Sequence, residues 1–368
     1  MFTPNPRFTK HLVESNFFRS HPLTVIDVGA RDGVEPHWSC YGDSVRIIGF
    51  EPDFEECEKL NKSSGNNPTR VFYPFALHKD KSSHAFYHMS PVSSGLYPPD
   101  PKFINRFPVE DIFTITKTST IDTIDFDSFA DTHGISDVDF MKLDTEGSEL
   151  DILRGSINQL KRTVLGISCE VLFFPWRDGG ETFSEVEQFL RPLGFKLYDL
   201  DVWRFANKSF PSFNSVAPVG SNSPNASYGQ IIQGQAVFFR DPVAEIENKK
   251  LILSDWDEAR IIKMASLFEH FRMPDCAIEL LDVAVKHRII TDSEKMPVQK
   301  FHDLITSGFL GRATTYERYI KKLAHIKKRG YLSNFDRIMP YLRRVPYLKN
   351  LRDFVRRIFY YFHNNHIF

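Results

Sequence analysis

Cysteine is scarce in this sequence, and long apolar runs are missing. Among 368 residues there are four cysteines, with no Cys-x-x-Cys pair and no zinc-like spacing: Cys40, Cys57, Cys169 and Cys276. We therefore expect free thiols in a reducing compartment rather than a disulfide framework. The first residues lack the basic start and apolar run of a signal peptide, and no stretch approaches the roughly 20 apolar residues of a membrane span. These absences predict a cytoplasmic protein.

Net charge is also nearly absent, because the formal charge is −1. The balance hides an asymmetry, however. Residues 301–368 contain 14 Lys and Arg against 4 Asp and Glu, whereas residues 1–300 contain 32 against 43. The basic, aromatic end "YLRRVPYLKNLRDFVRRIFYYFHNNHIF" is either a solvated helix that packs its aromatic rings on the protein, or a surface for anionic partners or a bilayer.

The sequence has neither of the common phosphate-binding loops. It contains no G-x-x-x-x-G-K-[ST], which argues against a P-loop ATPase, and no G-x-G-x-x-G for a dinucleotide pyrophosphate. The stretch "VIDVGARDGVE" instead follows an apolar run with Gly29 and Gly33, flanked by Asp27 and Asp32. Glycine allows a ligand to approach the backbone, and the acids would repel phosphates and attract a cation.

Short apolar runs alternate with helical stretches over the first 240 residues. This pattern predicts an α/β doubly wound fold with a parallel sheet, in which ligands bind at the carboxyl ends of the strands. We expect strands at 24–28, 46–50, 71–75, 138–143 and 164–169, two weaker ones at 195–199 and 236–239, and helices at 53–62, 126–133, 148–160 and 182–192.

Two segments interrupt the alternation of strands and helices, and the hydrophobic periodicity changes after them. Residues 79–117 and 205–230 are rich in Ser, Pro, Gly or Asn, as expected of a lid, a substrate wall or a mobile linker. Beyond residue 240 the periodicity is helical. The predicted domains are therefore 1–240, which holds the site, and 241–368, a helical and basic extension.

Acids follow two of the predicted strands. Glu51, in "GFEPD", lies about 20 residues after the glycines, where an acid accepts hydrogen bonds from ribose hydroxyls. In "FMKLDTEGSELDILRGS", the three acids Asp144, Glu146 and Glu149 surround a glycine at a strand end. Capping of a helix dipole would explain Glu149 but not all three. Together they indicate a nucleoside cofactor with a positive centre, such as S-adenosylmethionine.

These segments resemble the FkbM family of S-adenosylmethionine-dependent methyltransferases. The resemblance covers about residues 20–240 and rests on "VIDVGARDG", "GFEPD", "FYPFAL", "STIDTI" and "MKLDTEGSELDIL", in that order. It implies a Rossmann-like class I methyltransferase sheet, mostly parallel with the last strand antiparallel. It also implies O-methyl transfer to a hydroxyl of a sugar, a glycan or a related small molecule.

The resemblance also implies roles for particular positions. Four residues would line the methionine end of the cofactor, namely Asp27, Gly29, Arg31 and Gly33. Glu51 would hold the ribose beside Pro52 and Asp53, and Ala76 and Leu77 would flank the adenine. Asp144 and Glu146 would stand where the methyl-bearing sulfur meets the acceptor.

An alcohol needs a base, or a metal that acidifies it, before it can accept a methyl group. Asp144 or Glu146 is the expected base, with Glu170 across the cleft. As an alternative, Asp144 and Glu170 would hold Mg²⁺, which prefers carboxylate oxygens. The histidines His37, His84 and His88 are further candidate bases, although each also fits an ordinary surface position.

Two other function classes stay open. A nucleic-acid methyltransferase would use the basic tail as a phosphate rail, but the acidic body argues against nucleic acid as a partner. A non-catalytic interaction protein would have kept the fold without the activity. In the methyltransferase hypothesis, the basic segment brings the enzyme to an anionic or lipid-linked glycan at the membrane periphery.

Overall fold

The computed structural model describes residues 2–65, 67–89, 93–210, 226, 228–248, 256–293 and 297–328. The basic segment 331–368 and most of the Asn/Ser/Pro/Gly-rich segment 205–230 lie outside these residues. Among the described residues, no helix combines the length and the apolar character that crossing a membrane requires.

Among the described residues, ten strands form two sheets. In chain order they are β1 Leu23–Val28, β2 Val45–Phe50, β3 Arg70–Tyr73, β4 Ala76–Leu77, β5 Ser83–His88, β6 Lys117–Ile124, β7 Phe140–Leu143, β8 Gly166–Leu172, β9 Phe195–Phe205 and β10 Gln230–Arg240. The seven-stranded sheet has the order β3-β2-β1-β7-β8-β10-β9. Its neighbours pair in parallel except at β10, which is antiparallel to both β8 and β9. The predicted mostly parallel sheet with one late antiparallel strand is therefore confirmed.

Fourteen α-helices lie among the described residues. They are α1 Arg7–Glu14, α2 Phe17–Ser20, α3 Phe54–Ser63, α4 Pro101–Ile104, α5 Glu110–Phe113, α6 Phe126–His133, α7 Glu149–Arg154, α8 Ile157–Arg162, α9 Phe183–Leu190, α10 Pro242–Asn248, α11 Glu258–His270, α12 Pro274–Lys286, α13 Val298–Phe309 and α14 Tyr316–Lys328. Two 3₁₀ segments, Pro36–Ser44 and Arg191–Leu193, complete the elements. The helices after residue 240 confirm the predicted helical character of the C-terminal region.

The apolar runs of the strands are buried because helices cover the sheet. On one face Ile26, Ile48 and Met141 pack with residues of α6 to α9, including Phe129 and Leu153. Continuous apolar runs are typical of parallel strands that are covered on both faces, which is why the sequence predicted them correctly.

One predicted helix was wrong in its extent. The sequence suggested a single helix over 148–160, but the structure has α7 and α8 with a break at Gly155 and Ser156. The Asp127 carboxylate accepts hydrogen bonds from the N–H groups of Asn158 (2.8 Å) and Gln159 (3.1 Å), and so caps a new helix start. Such a cap from a distant residue leaves no local signal.

The predicted interruption at 79–117 contains structure of its own. β5 and β6 pair in antiparallel fashion, and β6 also pairs with β4 in a second, three-stranded sheet. Both longer strands are polar and largely solvent-facing, so they lack the apolar alternation that reveals a strand.

The chain divides into two compact units. The larger comprises Lys10–Met264 and Glu279–Ile290 and contains both sheets. The smaller contains the described residues of Met1–Thr9, Ala265–Ile278 and Thr291–Phe368. Within the smaller unit, the buried Glu269 carboxylate accepts hydrogen bonds from the N–H groups of Phe8 (3.0 Å) and Thr9 (2.8 Å). The predicted domain boundary at residue 240 stays a prediction.

A buried arginine closes the end of the antiparallel strand. Arg240 is 0% exposed, and its guanidinium donates to the carbonyl oxygens of Leu160 (2.6 Å), Val164 (3.0 Å) and Leu193 (3.1 Å). It also pairs with Glu245 at 3.2 Å. One side chain therefore ties β10 to the segments that precede β8 and β9.

We expect Arg240→Met to lower the free energy of unfolding by about 3–5 kcal/mol, because it leaves a buried carboxylate and three carbonyl oxygens without their donor. The measurement is urea denaturation. The control is Lys196→Met, which removes an exposed ion pair with Asp241 on the same pair of strands and should cost below about 1 kcal/mol. Equal losses in the two variants would contradict the anchoring role of Arg240.

Candidate active site

A cleft lies at the carboxyl ends of β1, β2 and β7, within the larger unit. It encloses about 860 Å³ of space outside the protein atoms, part of it open to solvent. Its described lining residues are Val28, Gly29, Arg31, Asp32, Phe50, Glu51, Pro52, Phe75, Ala76, Leu77, Phe86, Ser94, Gly95, Leu96, Asp144, Thr145, Glu146 and Ser148.

The floor of the cleft depends on a close backbone approach at Gly29. Its φ is +81°, and a Cβ at this position would lie 1.9 Å from the carbonyl oxygen of Asp144. The N–H groups of Gly29 and Ala30 both donate to the carbonyl oxygen of Phe50 at 3.1 Å. The turn after β1 is thus wedged between the ends of β2 and β7, where only glycine fits.

Under this floor lies a buried ion network. The Nζ of Lys142 is 3.2 Å from Asp27 Oδ1 and 3.6 Å from Asp144 Oδ2, and it donates to the Gly29 carbonyl oxygen at 3.2 Å. Burial raises the pKa of Asp27 to about 6, although the Lys142 ammonium opposes the rise. Burial lowers the pKa of Lys142, but Asp27 and Asp144 outweigh it and hold that pKa above its ordinary value. Lys142 therefore stays charged and orients the Asp144 carboxylate through this ion pair.

Glu51 lies at the carboxyl end of β2 with its carboxylate on the cleft wall. The residue is 4% exposed, and its Oε1 accepts a hydrogen bond from the N–H of Asp53 at 2.8 Å. Among the described residues, no group donates a hydrogen bond to Oε2. Burial raises the pKa of Glu51, as it does for a carboxylate with few donors. This second oxygen is available to a ligand in the cleft.

Asp53 supports the start of the helix that follows β2. It caps α3, because its Oδ1 accepts from the N–H groups of Glu55 (3.1 Å) and Glu56 (3.2 Å). Its other oxygen lies 3.7 Å from the guanidinium of Arg31, which lines the cleft. Asp53 thus positions Arg31 and the start of α3.

Of the three acids in the turn after β7, one holds the turn together and two line the cleft. Glu149 is buried, and its carboxylate accepts from the N–H groups of Thr145 (2.7 Å) and Gly147 (3.0 Å), which folds the turn. Asp144 lines the cleft, with a side chain 46% exposed. Glu146 also lines it, at a φ of +61° that is uncommon for residues other than glycine.

Glu146 is held from behind by a buried arginine. The guanidinium of Arg177, whose side chain is fully buried, pairs with Glu146 and donates to the carbonyl oxygens of Ser93 (3.0 Å) and Tyr97 (3.1 Å). Burial raises the pKa of Glu146 to about 7, and nearby Asp144 and Glu149 add to the rise against the effect of Arg177. A carboxylate with a pKa near neutrality is suited to accept a proton at physiological pH.

Glu170, in β8, lies deeper in the protein. Its Oε1 accepts a hydrogen bond from the side-chain amide of Gln233 at 3.0 Å, whereas its Oε2 is buried without a described partner. Burial raises the pKa of Glu170 well above the ordinary value, with a further contribution from Glu146. Burial therefore disfavours its charged form.

The segment before β6 supplies the opposite wall of the cleft. Asp100 N–H donates to the Trp176 carbonyl oxygen at 2.7 Å, and Asp178 N–H donates to the Pro98 carbonyl oxygen at 2.8 Å. These bonds fasten residues 93–100 against the chain after β8, so that Ser94, Gly95 and Leu96 face the cleft. The segment is thus a wall of the cleft.

The structure brings together most of the residues that the sequence selected. Eight of them line the cleft: Gly29, Arg31, Glu51, Pro52, Ala76, Leu77, Asp144 and Glu146. Four others are near it but not among its described lining residues: Asp27, Gly33, Asp53 and Glu170. The candidate bases His37, His84 and His88 are not among those lining residues either. The roles assigned to all these positions stay predictions.

Sequence reasoning missed the two buried cations, Lys142 and Arg177. Lys142 occupies an inward position of an apolar strand, which is the signal that would have identified it. Arg177 gave no usable signal, because its partner Glu146 lies 31 residues away in the chain.

The fit at Gly29 can be tested against a second glycine. Gly134, at the end of α6, also has a positive φ, +63°, with a ψ of 35° in the left-handed helical region, but a Cβ there would meet nothing within 4 Å. We expect Gly134→Ala to cost about 1–2 kcal/mol of unfolding free energy, for the backbone alone. Gly29→Ala should cost at least about 2 kcal/mol more, for the displaced β7 turn. Similar losses in urea denaturation would argue against the close approach.

The sequence matches one family. The family model described as the Methyltransferase FkbM domain matches residues 27–197, which include every cleft-lining residue named above. No curated protein is significantly similar to the chain.

Solved structures with similar folds include several methyltransferases. The Methanococcus jannaschii fibrillarin pre-rRNA processing protein is 12% identical, with a TM-score of 0.32 over 60% of this chain and 66% of that one. A TehB-like SAM-dependent methyltransferase from Corynebacterium glutamicum is 11% identical, with a TM-score of 0.29 over 63% and 87%. The N-terminal domain of EvdMO1 with SAH bound is 9% identical, with a TM-score of 0.29 over 63% and 80%.

At such low identities and TM-scores these structures carry no functional argument, which rests on the family match and on the residues of the cleft. Residues 27–197 therefore form an S-adenosylmethionine-dependent methyltransferase domain of the FkbM family.

Proposed function

We propose that this protein transfers a methyl group from S-adenosylmethionine to a hydroxyl of a sugar or glycan. The observation that carries the proposal is Glu146, a cleft-lining carboxylate whose pKa is raised to about 7 next to Asp144. A hydroxyl acceptor requires a base of this kind, because its proton must leave as the new carbon–oxygen bond forms.

The cleft residues fit the cofactor. Glu51 offers a buried carboxylate oxygen to the ribose hydroxyls, and Ala76 and Leu77 offer an apolar wall to the adenine. Among the described lining residues four are acidic and one, Arg31, is basic. The cleft therefore favours a cationic ligand over a phosphorylated one. When bound, S-adenosylmethionine supplies a methyl group attached to a sulfonium, which is a good leaving group.

In this proposal Glu146 takes the acceptor proton. Arg177 engages one of its oxygens and orients the carboxylate, so the other oxygen is directed to the cleft. Asp144, held by Lys142, contributes negative charge beside the reacting atoms and positions the acceptor.

A base accounts for the site better than Mg²⁺ does. The alternative required Asp144 and Glu170 as oxygen ligands. The side-chain amide of Gln233 already donates to one oxygen of Glu170, and Glu170 is not among the described lining residues of the cleft.

The basic segment 331–368 lies outside the described residues, so its contact with an anionic or lipid-linked glycan stays a prediction. If the contact exists, deletion of 331–368 should lower methyl transfer to a lipid-linked glycan but not to a soluble sugar.

The cofactor assignment is tested by calorimetric titration with S-adenosylmethionine and with S-adenosylhomocysteine. We expect the wild type to bind both, and Glu51→Ala to weaken binding by about 10- to 100-fold, since a charged hydrogen-bond acceptor is lost. The control is Glu55→Ala, an exposed acid in the first turn of the neighbouring α3. An unchanged dissociation constant in Glu51→Ala would remove Glu51 from the ribose site.

The base assignment is tested by kinetics. Methyl-labelled S-adenosylmethionine is offered with a panel of sugars and with RNA, and label in a sugar supports the proposed acceptor class. With an accepted sugar, kcat should rise with pH through about 7, because Glu146 acts when it is deprotonated. Glu146→Gln should lower kcat by at least about 100-fold while cofactor binding persists.

A matched control is Glu187→Gln, which removes a Glu–Arg pair on the surface of α9. Transfer to RNA alone would overturn the acceptor class. A Glu146→Gln variant with wild-type kcat would overturn the base.

A further inference from the structure

Two histidines and an aspartate meet just after β4, and none of them is among the described lining residues of the cleft. His78 directly follows β4, Asp80 is in the turn after it, and His84 is in β5. One ligand atom from each of the three lies within 4.8 Å of the others. Exposed acidic groups close together are common without a metal ion, whereas this cluster contains a buried histidine.

His78 is the informative member. It is 1% exposed, and neither ring nitrogen makes a hydrogen bond with the described residues. Its Nδ1 lies 3.7 Å from Asp80 Oδ1 and its Nε2 lies 3.2 Å from Asp151 Oδ2, distances without hydrogen-bond alignment. A buried imidazole whose nitrogens lack well-aligned hydrogen bonds is costly, so a metal ion bound to one of them would stabilise the fold.

The surroundings match those of a metal-bound histidine. A metal-ligating imidazole commonly turns its second nitrogen to a carboxylate, which fixes the tautomer and raises the basicity of the ligand. Asp151 is placed for that role at Nε2. It is 4% exposed and is itself held by the hydroxyl of Tyr97 and by Arg154, whose Nη1 lies 3.2 Å from its Oδ1.

The hydroxyl group of Ser82 contacts both other members of the cluster, Asp80 and His84. Ser82 Oγ lies 2.5 Å from Asp80 Oδ1 and 2.7 Å from His84 Nε2. The rings of His78 and His84 have centroids 4.2 Å apart. Two imidazoles and one carboxylate leave a fourth tetrahedral position for water or for the Ser82 hydroxyl, and this donor set suits Zn²⁺ better than Mg²⁺ or Ca²⁺.

We propose that His78, Asp80 and His84 bind one Zn²⁺ ion, with Asp151 as the carboxylate behind His78. The ion would fasten the turn between β4 and β5 to the start of α7. Leu77, the residue before His78, lines the cleft, so the ion would also stiffen that wall. Its role is structural, and the proposal does not depend on the identity of the methyl acceptor.

The test is equilibrium dialysis of the full chain against ZnCl₂ after removal of metals with a chelator. We expect one Zn²⁺ per chain in the wild type, and an affinity lower by at least about 100-fold in His84→Ala and in Asp80→Asn. Both residues are partly or fully exposed, so their replacement should leave the core intact, as thermal unfolding without metal will check.

The control is His88→Ala, which removes another histidine of β5 that contacts Ser119 at 2.7 Å and lies outside the cluster. It should bind Zn²⁺ as the wild type does. Co²⁺ in place of Zn²⁺ should give the visible absorption of a tetrahedral site in the wild type and in His88→Ala, but not in His84→Ala.

Three results would overturn the proposal: less than one Zn²⁺ per wild-type chain, wild-type affinity in His84→Ala, or an equal loss in His88→Ala. None of them concerns methyl transfer, so failure of the metal site and failure of the proposed function are separate outcomes.

Discussion

At Gly29 the backbone that leaves β1 runs against the carbonyl oxygen of Asp144, with no room for a side chain between them. This close approach brings the ends of β1, β2 and β7 to one edge of the sheet. The cleft, the position of Glu51 and the orientation of Asp144 all follow from it. A larger residue would separate the two strand ends and with them the two halves of the site.

Burial then decides what each acid of the site does. Acids that find several donors, such as Glu149, serve as structural supports. The Lys142 ammonium pairs with the Asp27 carboxylate, and burial raises the pKa of Glu170. Glu146 is between these cases, because Arg177 stabilises its charge while burial opposes it. This competition raises its pKa towards neutrality, and it makes Glu146 the best candidate for moving a proton.

Much of the fold was predictable from the sequence. The strands at the centre of the sheet are continuous apolar runs, and helices such as α3 and α6 carry their own caps at Asp53 and Asp125. Prediction was wrong where a distant residue supplied the signal, as at α8, whose cap is Asp127. It also missed the second sheet, because β5 and β6 bury few apolar side chains.

The sequence by itself determined the site's inventory: glycines after β1, an acid after β2 and an acidic turn after β7. Local sequence suffices to find them, since they directly follow the apolar strands β1, β2 and β7. Only the tertiary structure decided which acids face the cleft and which are paired, capped or buried. It also brought His78 close to Asp80 and His84 and placed Asp151 against His78. The physical reason is that pairing, desolvation and ligand geometry depend on neighbours in space, and those neighbours are tens of residues apart in the chain.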